Sequence, residues 1–574
     1  MAPHGTRFEV EEESKAESEP YHSGHHLLER IGHEVFRNDC LDRRLKRHHI
    51  TGIAFSCAVG IGLFETSGQI LAMGGPVGAI LAFLFAGLVI FCVMRSLAEM
   101  VSVRPVSGAI MDYPASFVDE ALGFTVGIFY WEVADIAMVS LTIAATMFSQ
   151  YWGPGFSVKA ATFVLLAAIL FMNACGVRLY GNMEWGFKWL KILLILLVCV
   201  VMIAIKAGAG PDAVHGKFQI GPGYSSTAFF QNGTEISTLP TIQSDVPLPG
   251  TGGRILAVWT CLTMAMYQFM GGEMVLVTAA EAESPQRDLP PAARYMYRLP
   301  GDRLDGMTTA LRSPFVIVIQ DAGVRVLPGF LNAGFLFSAI TAANSALYVS
   351  SRTLFFLARE SSVERIKNTI GRTNNGHTPL TAIFVSFIPG ALAFLVVGAD
   401  KVSFQEPIAV IAHLYTSTML CIYASECIAF LRFMKGMKLF PNTINRDNGP
   451  YRDKHYRATW QPLWAYLGLV LCVLLVISSG WGAVYDLCAK TKGVTKEDSL
   501  VDLTASYLLP ALFISVYLGY KVIYKTSIKP YTSFEDKWFP RDVLIDAQDG
   551  QSTRNRTRRG GKLGTILNIL SWIG

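Results

Sequence analysis

A carboxylate lies inside an apolar stretch of this chain, directly after two glycines. The stretch reads YQFMGGEMVLV from Tyr267, and the acidic residue is Glu273. Burying a charge among lipid chains is costly, so acidic residues in such stretches mark binding sites or ion paths. Paired glycines weaken a helix. The pattern predicts an interrupted helix at Gly271-Gly272 whose carboxylate faces a polar site for a proton or a cationic group.

A second interruption is predicted near the start of the chain. Gly60 and Gly62 flank Ile61 in another apolar stretch, directly after Val59. Unwinding there would free backbone N–H groups, which attract an anionic group at a half-helix end. Taken alone, these glycines favour close helix packing instead. Paired with the break at 271–273, they favour a transporter site that binds a zwitterion, such as an amino acid.

The elements that must position these residues are membrane-spanning helices. The chain has 574 residues, of which 51% are hydrophobic and 16% are charged, whereas soluble domains carry about 25% charged residues. A helix needs about 20 apolar residues to cross a bilayer. Eleven stretches qualify: 50–73, 78–102, 123–150, 157–175, 185–206, 255–280, 329–358, 379–398, 407–433, 462–486 and 505–524. We therefore predict an all-α polytopic membrane protein.

The charges predict an orientation. The net charge is +5, and basic residues cluster beside spans, which is typical of cytosolic loops and not of nucleic-acid binding. Arg43, Arg44, Lys46 and Arg47 precede the first span. The N-terminus is therefore predicted in the cytosol and the 207–253 loop outside. The sequon at Asn232 suits that exported loop, although sequons also occur by chance.

The cysteines do not indicate a metal site, and no cofactor is expected. The ten cysteines form no CxxC pair and show no metal-ligand spacing. We read them as small core residues.

The rule that basic residues mark cytosolic loops fails at one place in the chain. Basic residues such as Arg303 precede the span 329–358, and others such as Arg359 follow it. One crossing cannot have both ends in the cytosol. The connecting stretch is too charged to span, so we predict that a crossing is missing between Tyr297 and Ser313.

Four motifs carry a resemblance to a known family. The stretches LKRHHITGIAFSCAVGIGLFETSG, VMRSLAEMVSVRPVSGAI, FMGGEMVLVTAAEAESPQRDLPPAAR and LNAGFLFSAITAANSALYVSSRTLFFLA resemble the first, second, sixth and eighth helices of fungal amino-acid permeases. These form the yeast amino-acid transporter group of the amino acid–polyamine–organocation superfamily. The resemblance covers residues 45–535. It implies a twelve-helix fold of two inverted five-helix repeats that imports amino acids with protons by alternating access.

The resemblance also implies roles for individual residues. The backbone of Val59, Gly60, Ile61 and Gly62 would hold the substrate carboxylate. Phe269, Gly271, Gly272 and Glu273 would form the broken sixth helix, with Phe269 as a gate.

Two further sites follow from the family pattern. Lys191 matches a lysine that occupies the sodium position in proton-driven relatives. It and Glu273 are candidates for proton coupling, although Lys191 could instead extend to the membrane edge. Asn344 and Ser345 would line the ion-site region, or they could serve structural helix–helix hydrogen bonds.

The sequence departs from the family pattern in several places. Ser56 and Cys57 replace paired glycines, and Ile61 replaces a threonine, which leaves the substrate class open. Glu132 and Asp135 share a helix face, where they would contact a polar cavity or lie near the membrane surface.

The largest departure is the absent seventh helix, at the place where the charge rule fails. We therefore predict an inverted five-helix-repeat fold with 11 spans here instead of 12. The predicted parts are a disordered cytoplasmic tail (1–45), a permease domain (46–525) and a cytoplasmic C-terminal tail (526–574). The permease domain comprises a first repeat (50–206), an incomplete second repeat (255–433) and extra helices (462–524).

The predicted function is secondary active import of amino acids across the plasma membrane by proton symport. The alternatives are a non-transporting nutrient receptor and a transport-defective truncated permease. No acyltransferase or metal motif favours an enzyme. The expected partners are an amino acid, a proton and membrane lipids, and no nucleic acid.

Overall fold

The computed structural model describes most of the predicted membrane domain. The described residues are 45–58, 62–104, 106, 108–152, 157–206, 251–274, 326–361, 363–374, 378–397, 405–439, 446, 455–489 and 496–531. They belong to one compact unit, Leu41–Gly574. The predictions for Val59–Ile61, for Asn232 and its loop, for the connection 275–325 and for the tails before 45 and after 531 fall outside these residues.

The described chain is helical almost throughout, because peptide groups in lipid must find their partners within the chain. The helices are α1 (Arg47–Ala58), α2 (Gly62–Val103), α3 (Ala109–Phe117), α4 (Glu120–Ser149), α5 (Val158–Ala174), α6 (Val177–Lys206), α7 (Thr251–Phe269), α8 (Leu327–Glu360), α9 (Glu364–Thr369), α10 (Leu380–Phe387), α11 (Leu392–Val397), α12 (Gln405–Leu439), α13 (Leu463–Ser478), α14 (Trp481–Ala489) and α15 (Lys496–Tyr524). Short 3₁₀ turns follow α4 at Gln150–Trp152 and join α10 to α11 at Ile388–Ala391.

Seven helical segments in the described residues are long and apolar enough to cross a membrane. They are Val77–Val103, Glu120–Trp152, Val177–Ile205, Leu327–Glu360, Val410–Leu439, Leu463–Tyr485 and Ser499–Tyr524. Val158–Ala174 and Leu380–Phe394 are shorter apolar helices. Each of the eleven predicted spans overlaps a helix. The prediction of an all-α polytopic membrane protein is confirmed.

Several helix boundaries differ from the predicted ones, among them those of α2 and α6. The sequence separates the first two spans near Gly74-Gly75-Pro76, but α2 continues as one helix of 42 residues. Glycine and proline lower helix propensity but do not exclude a helix. Packing against neighbouring helices therefore determines whether the helix continues through these residues. The fifth predicted span starts at residue 185, whereas α6 starts at Val177. Polar residues in its first turns concealed the true start.

The core lies where the long helices cross. Helix α8 packs along α4, α2 packs along α7, α1 packs on α6, and α12 contacts α4, α13 and α15. Buried apolar side chains from these helices form one continuous cluster. Large apolar side chains such as Phe163, Phe171 and Ile203 are instead exposed on the outside. An apolar exterior is what a lipid environment favours.

Polar contacts fix the helix ends. Asp119 caps α4: its backbone is extended, its Oδ1 accepts from the Ala121 amide at 3.3 Å, and its Oδ2 accepts from Lys521 Nζ at 2.7 Å. Burial alone raises the pKa of Asp119, but the hydrogen bonds from Lys521 and from the Ala121 amide help to hold the pKa below its ordinary value. The Lys529 amide also donates to Val118 O at 2.9 Å, which docks the segment after α15.

The connection between α12 and α13 is anchored on α2. Glu99, which is fully buried, accepts from Arg446 Nε at 2.5 Å and from Arg446 Nη2 at 3.1 Å. Its second oxygen also accepts from the Ala458 amide at 3.0 Å. A buried carboxylate with these partners holds the connection against the end of a membrane helix.

Candidate functional site

Helix α7 is interrupted at the predicted glycines. The helix ends at Phe269, and Gly271 has a φ of 108°, in the region that favours glycine. A single 3₁₀ turn follows at 272–274. The structure therefore places a helix end and a left-handed residue at the predicted break.

Glu273 lies buried in this break, with a relative exposure of 1%. Its Oε2 accepts from the Tyr423 hydroxyl of α12 at 2.5 Å and from the Gly271 amide at 3.1 Å. Its Oε1 has no hydrogen-bond partner within the described part of the chain. One oxygen is thus fixed by protein donors, while the other can take a proton or a cationic group.

The end of α1 touches the break in α7. Helix α1 ends at Ala58, and α2 begins at Gly62. A Cβ added to Gly271 would lie 2.9 Å from the carbonyl oxygen of Cys57. The break in α7 therefore lies against the last turn of α1, close to Glu273 in the chain and just before the residues where the sequence predicts the other interruption.

Aromatic and hydroxyl side chains surround the same region. The Tyr267 hydroxyl lies 3.2 Å from Ser140 Oγ of α4. The Tyr267 ring meets Tyr415 of α12 edge-on, with centroids 5.4 Å apart. Phe269 is half-buried, and its ring lies 6.1 Å from that of Phe83 in α2. These groups offer both apolar contact and hydrogen bonds to a small organic molecule.

Lys191 of α6 lies at the end of α1. Its side chain is fully buried, and Nζ donates to the Ser56 carbonyl oxygen at 3.0 Å. A cation beside the last carbonyls of a helix is electrostatically favoured. The side chain therefore extends toward another helix and not toward the membrane edge.

A polar junction connects α5, α6 and α8. Glu184 Oε1 accepts from Asn344 Nδ2 at 2.9 Å and from Ser345 Oγ at 3.2 Å. Asn173 Nδ2 donates to Asn344 Oδ1 at 2.8 Å. All four side chains are buried. Asn344 and Ser345 thus join helices through Glu184, an ionisable residue of α6.

The acidic pair of α4 lies within a span. Asp135 is buried, and its Oδ1 accepts a short hydrogen bond from the Ser350 hydroxyl of α8. Glu132 is half-buried. Both belong to the span Glu120–Trp152, so Asp135 serves a contact between α4 and α8.

Glu184 and Tyr423 are among the residues of this region that the sequence did not indicate. Glu184 was overlooked because the predicted span began one residue after it, although an ionisable residue in an apolar helix is a recognisable signal. Tyr423 lies 150 residues from Glu273, and no local pattern connects them. Such a contact is visible only once α12 is placed against the break.

The described residues are almost all helical and combine several membrane-length helices, a helix interrupted at glycines and carboxylates buried between helices, which is the architecture of a polytopic membrane transporter. The family model described as "Amino acid permease" matches residues 49–299 and 295–531. The chain therefore belongs to the amino acid permease family.

Named relatives cover nearly the whole chain. It is 28% identical over 551 residues to the probable amino-acid permease meu22 of Schizosaccharomyces pombe, which covers 92% of this chain and 86% of the relative. It is 28% identical over 560 residues to the dicarboxylic amino acid permease of Saccharomyces cerevisiae. That alignment covers 92% of this chain and 85% of the relative. It is 26% identical over 518 residues to the proline-specific permease of Emericella nidulans. That alignment covers 86% of this chain and 87% of the relative.

The match to the family model consists of two segments, and they meet close to the predicted missing crossing. Its two segments meet at residues 295–299. This is next to Tyr297, where the sequence predicts a missing crossing. The missing helix stays a prediction, since residues 275–325 lie outside the described structure.

Proposed function

We propose that this chain imports amino acids across the plasma membrane by proton symport with alternating access. The observation that carries the proposal is the contact between Gly271 and the Cys57 carbonyl. That contact joins the ends of two interrupted helices beside a buried carboxylate, Glu273. Freed backbone groups and one carboxylate suit the two charged ends of a zwitterion.

The substrate would bind between these ends. In this proposal the backbone at Val59–Gly62 holds the substrate carboxylate. Gly271, Gly272 and Glu273 face the amino group, and Phe269 closes over the site. The aromatic residues around the break support an apolar or aromatic substrate side chain. The relatives named above differ in the amino acids that their names specify, so the family alone does not fix the class.

Proton coupling would use Lys191 and Glu273. Both are buried ionisable side chains on helices that meet the end of α1. Charge changes at such positions are costly in lipid, and this makes them sensitive to the conformation around them. Asn344 and Ser345 would line the neighbouring region.

The N-terminus lies in the cytosol, the 207–253 loop lies outside and exposes Asn232, and the two repeats and tails have the predicted bounds. The protein has no enzymatic role. The basic residues before α1 support this orientation.

A transport-defective truncated permease is the second candidate. The divided family match at 295–299 favours it, since one crossing of the second repeat would be missing there. Loss of a crossing reverses the sidedness of every later helix.

Uptake competition tests the proposal. The full chain is expressed in a permease-deficient yeast and supplied with a mixture of labelled amino acids at several external pH values. We expect accumulation that rises with external acidity and falls by about tenfold or more in Glu273→Gln. Glu364→Gln, an exposed change on α9, should behave as the parent chain. Surface expression of every variant is measured alongside. If Glu273→Gln leaves the accumulation of labelled amino acids unchanged, the proposed site is refuted.

A further inference from the structure

We propose that Glu184 is a further proton-binding residue beside Lys191 and Glu273, with Oε2 as the atom that takes the proton. The proposal rests on the proposed symport function and deepens it. Glu184 lies in the first third of α6, and its exposed fraction is 0%. It was not among the residues that the sequence pattern or the family resemblance indicates.

The two oxygens of Glu184 have unequal surroundings. Oε1 accepts from both Asn344 and Ser345, so its position is fixed. Oε2 is buried and has no hydrogen-bond partner in the described residues. A carboxylate held by one oxygen presents the other for protonation without moving.

Two hydroxyl groups near Glu184 suit both of its protonation states. The Ser56 hydroxyl of α1 and the Tyr180 hydroxyl of α6 lie close enough to the Glu184 carboxylate to interact with it. Both hydroxyl oxygens are buried and lack a hydrogen-bond partner in the described chain. A hydroxyl can donate to a carboxylate or accept from a carboxylic acid by rotating its proton. The junction can therefore satisfy Glu184 with or without a proton on Oε2.

The other ionisable groups nearby are few and lie on three helices. Lys191 lies on α6, two turns after Glu184, and Cys57 lies on α1. Tyr348 of α8 stacks on Tyr180 with centroids 4.4 Å apart. Among the described groups that face Glu184, Lys191 is the cation, and it favours a carboxylate. Proton binding at Oε2 would remove that attraction.

Helix α1 connects this junction to the substrate site. The Ser56 carbonyl accepts from Lys191, and the next residue, Cys57, presents its carbonyl to Gly271. A proton on Glu184 changes the charge that Lys191 balances, and Lys191 is bonded to the last turn of α1. The last turn of α1 also contacts the break in α7. Protonation at Glu184 is thereby linked to the shape of the substrate site through two adjacent residues.

Infrared difference spectroscopy tests the assignment. The full chain is reconstituted in lipid nanodiscs and titrated over roughly pH 5 to 8. The parent, Glu184→Gln and Glu364→Gln are compared. Glutamine keeps the acceptor for Asn344 and Ser345, so the variant should fold. We expect a carboxylic-acid carbonyl band in the parent and in Glu364→Gln that is missing in Glu184→Gln. Identical pH-dependent spectra for the parent and Glu184→Gln would overturn the assignment.

A second measurement separates this inference from the proposed function. Binding of a mixture of amino acids is followed by thermal shift across the same pH range. We expect binding by the parent to be about tenfold or more tighter at the acidic end, and to lose this pH dependence in Glu184→Gln. Retained pH dependence in the variant overturns the role of Glu184 and leaves symport standing. No binding by the parent at any pH counts against the proposed function, while the infrared band still decides the assignment.

Discussion

At the scale of single residues, Gly271 carries the geometry of the site. We predict that Gly271→Ala destabilises the protein by about 1–3 kcal/mol through backbone strain, because its φ of 108° disfavours any side chain. The new Cβ would also lie 2.9 Å from the Cys57 carbonyl. The apparent midpoint of thermal unfolding of the purified chain should fall, and binding of an amino-acid mixture should weaken.

The matched control is Gly186→Ala in α6. A Cβ at Gly186 meets nothing within 4 Å, so alanine should be neutral or slightly stabilising there. Equal behaviour of the two variants would show that the contact between the interrupted helices does not matter.

The residues of the candidate site differ in how far the sequence reveals them. Glu273 and Lys191 are ionisable residues inside apolar stretches, which makes them visible without a structure. The partners of these residues are invisible in the sequence. The Ser56 carbonyl bonded to Lys191 and the Tyr423 hydroxyl bonded to Glu273 lie 135 and 150 residues away. Such contacts depend on helix packing, which no local pattern encodes.

At the scale of elements, the start of α4 depends on Asp119. We predict that Asp119→Ala destabilises the folded chain by about 1–2 kcal/mol, because it removes the cap of α4 and the partner of Lys521. Because its folded pKa is lowered below 3.8, this stabilisation is complete above that pH and is lost as the pH falls through the folded value.

Thermal unfolding of the parent and the variant in detergent checks this. The gap between their midpoints should be full at neutral pH and should close only in strong acid. Glu364→Ala on the exposed α9 serves as the control, with no gap expected. A gap that closes already near neutral pH would contradict the assignment of the cap.

Helix existence was predictable, and helix boundaries were not. Long apolar stretches leave no alternative to helix in lipid, so every predicted span overlaps one. The junction between the first two spans was wrong because Gly74-Gly75-Pro76 reads as a turn, whereas α2 passes through it. The low helix propensity of three residues has a smaller effect than the packing of a helix of 42 residues. The start of α6 was placed late for a related reason, since Glu184 and its neighbours look like a polar loop until they are buried.

At the scale of the whole molecule, the two halves of the chain pose different problems. Helices α1 to α6 lie in the segment predicted as the first repeat. Helices α8 to α12 come after the connection in which the distribution of basic residues requires one more crossing. Helix α8 nevertheless packs along α4 and α10 in the described structure, and its Asn344 and Ser345 reach Glu184. Correct packing of α8 and correct sidedness of its loops are therefore separate requirements.

Insertion of a seventh helix tests whether the missing crossing limits transport. The second candidate, a transport-defective truncated permease, predicts that the chain as written accumulates no labelled amino acid above a vector control, and that a chimera gains uptake. The chimera receives, between Tyr297 and Ser313, the corresponding segment of the Emericella nidulans proline-specific permease. A polyleucine helix of equal length is the matched control, because it restores sidedness but not the interlocking side chains of a native neighbour. Gain of uptake in the chimera alone means that packing is needed as well as orientation, and gain in both means that orientation suffices. Uptake by the unaltered chain at the level of the chimera would show that the protein functions without this crossing.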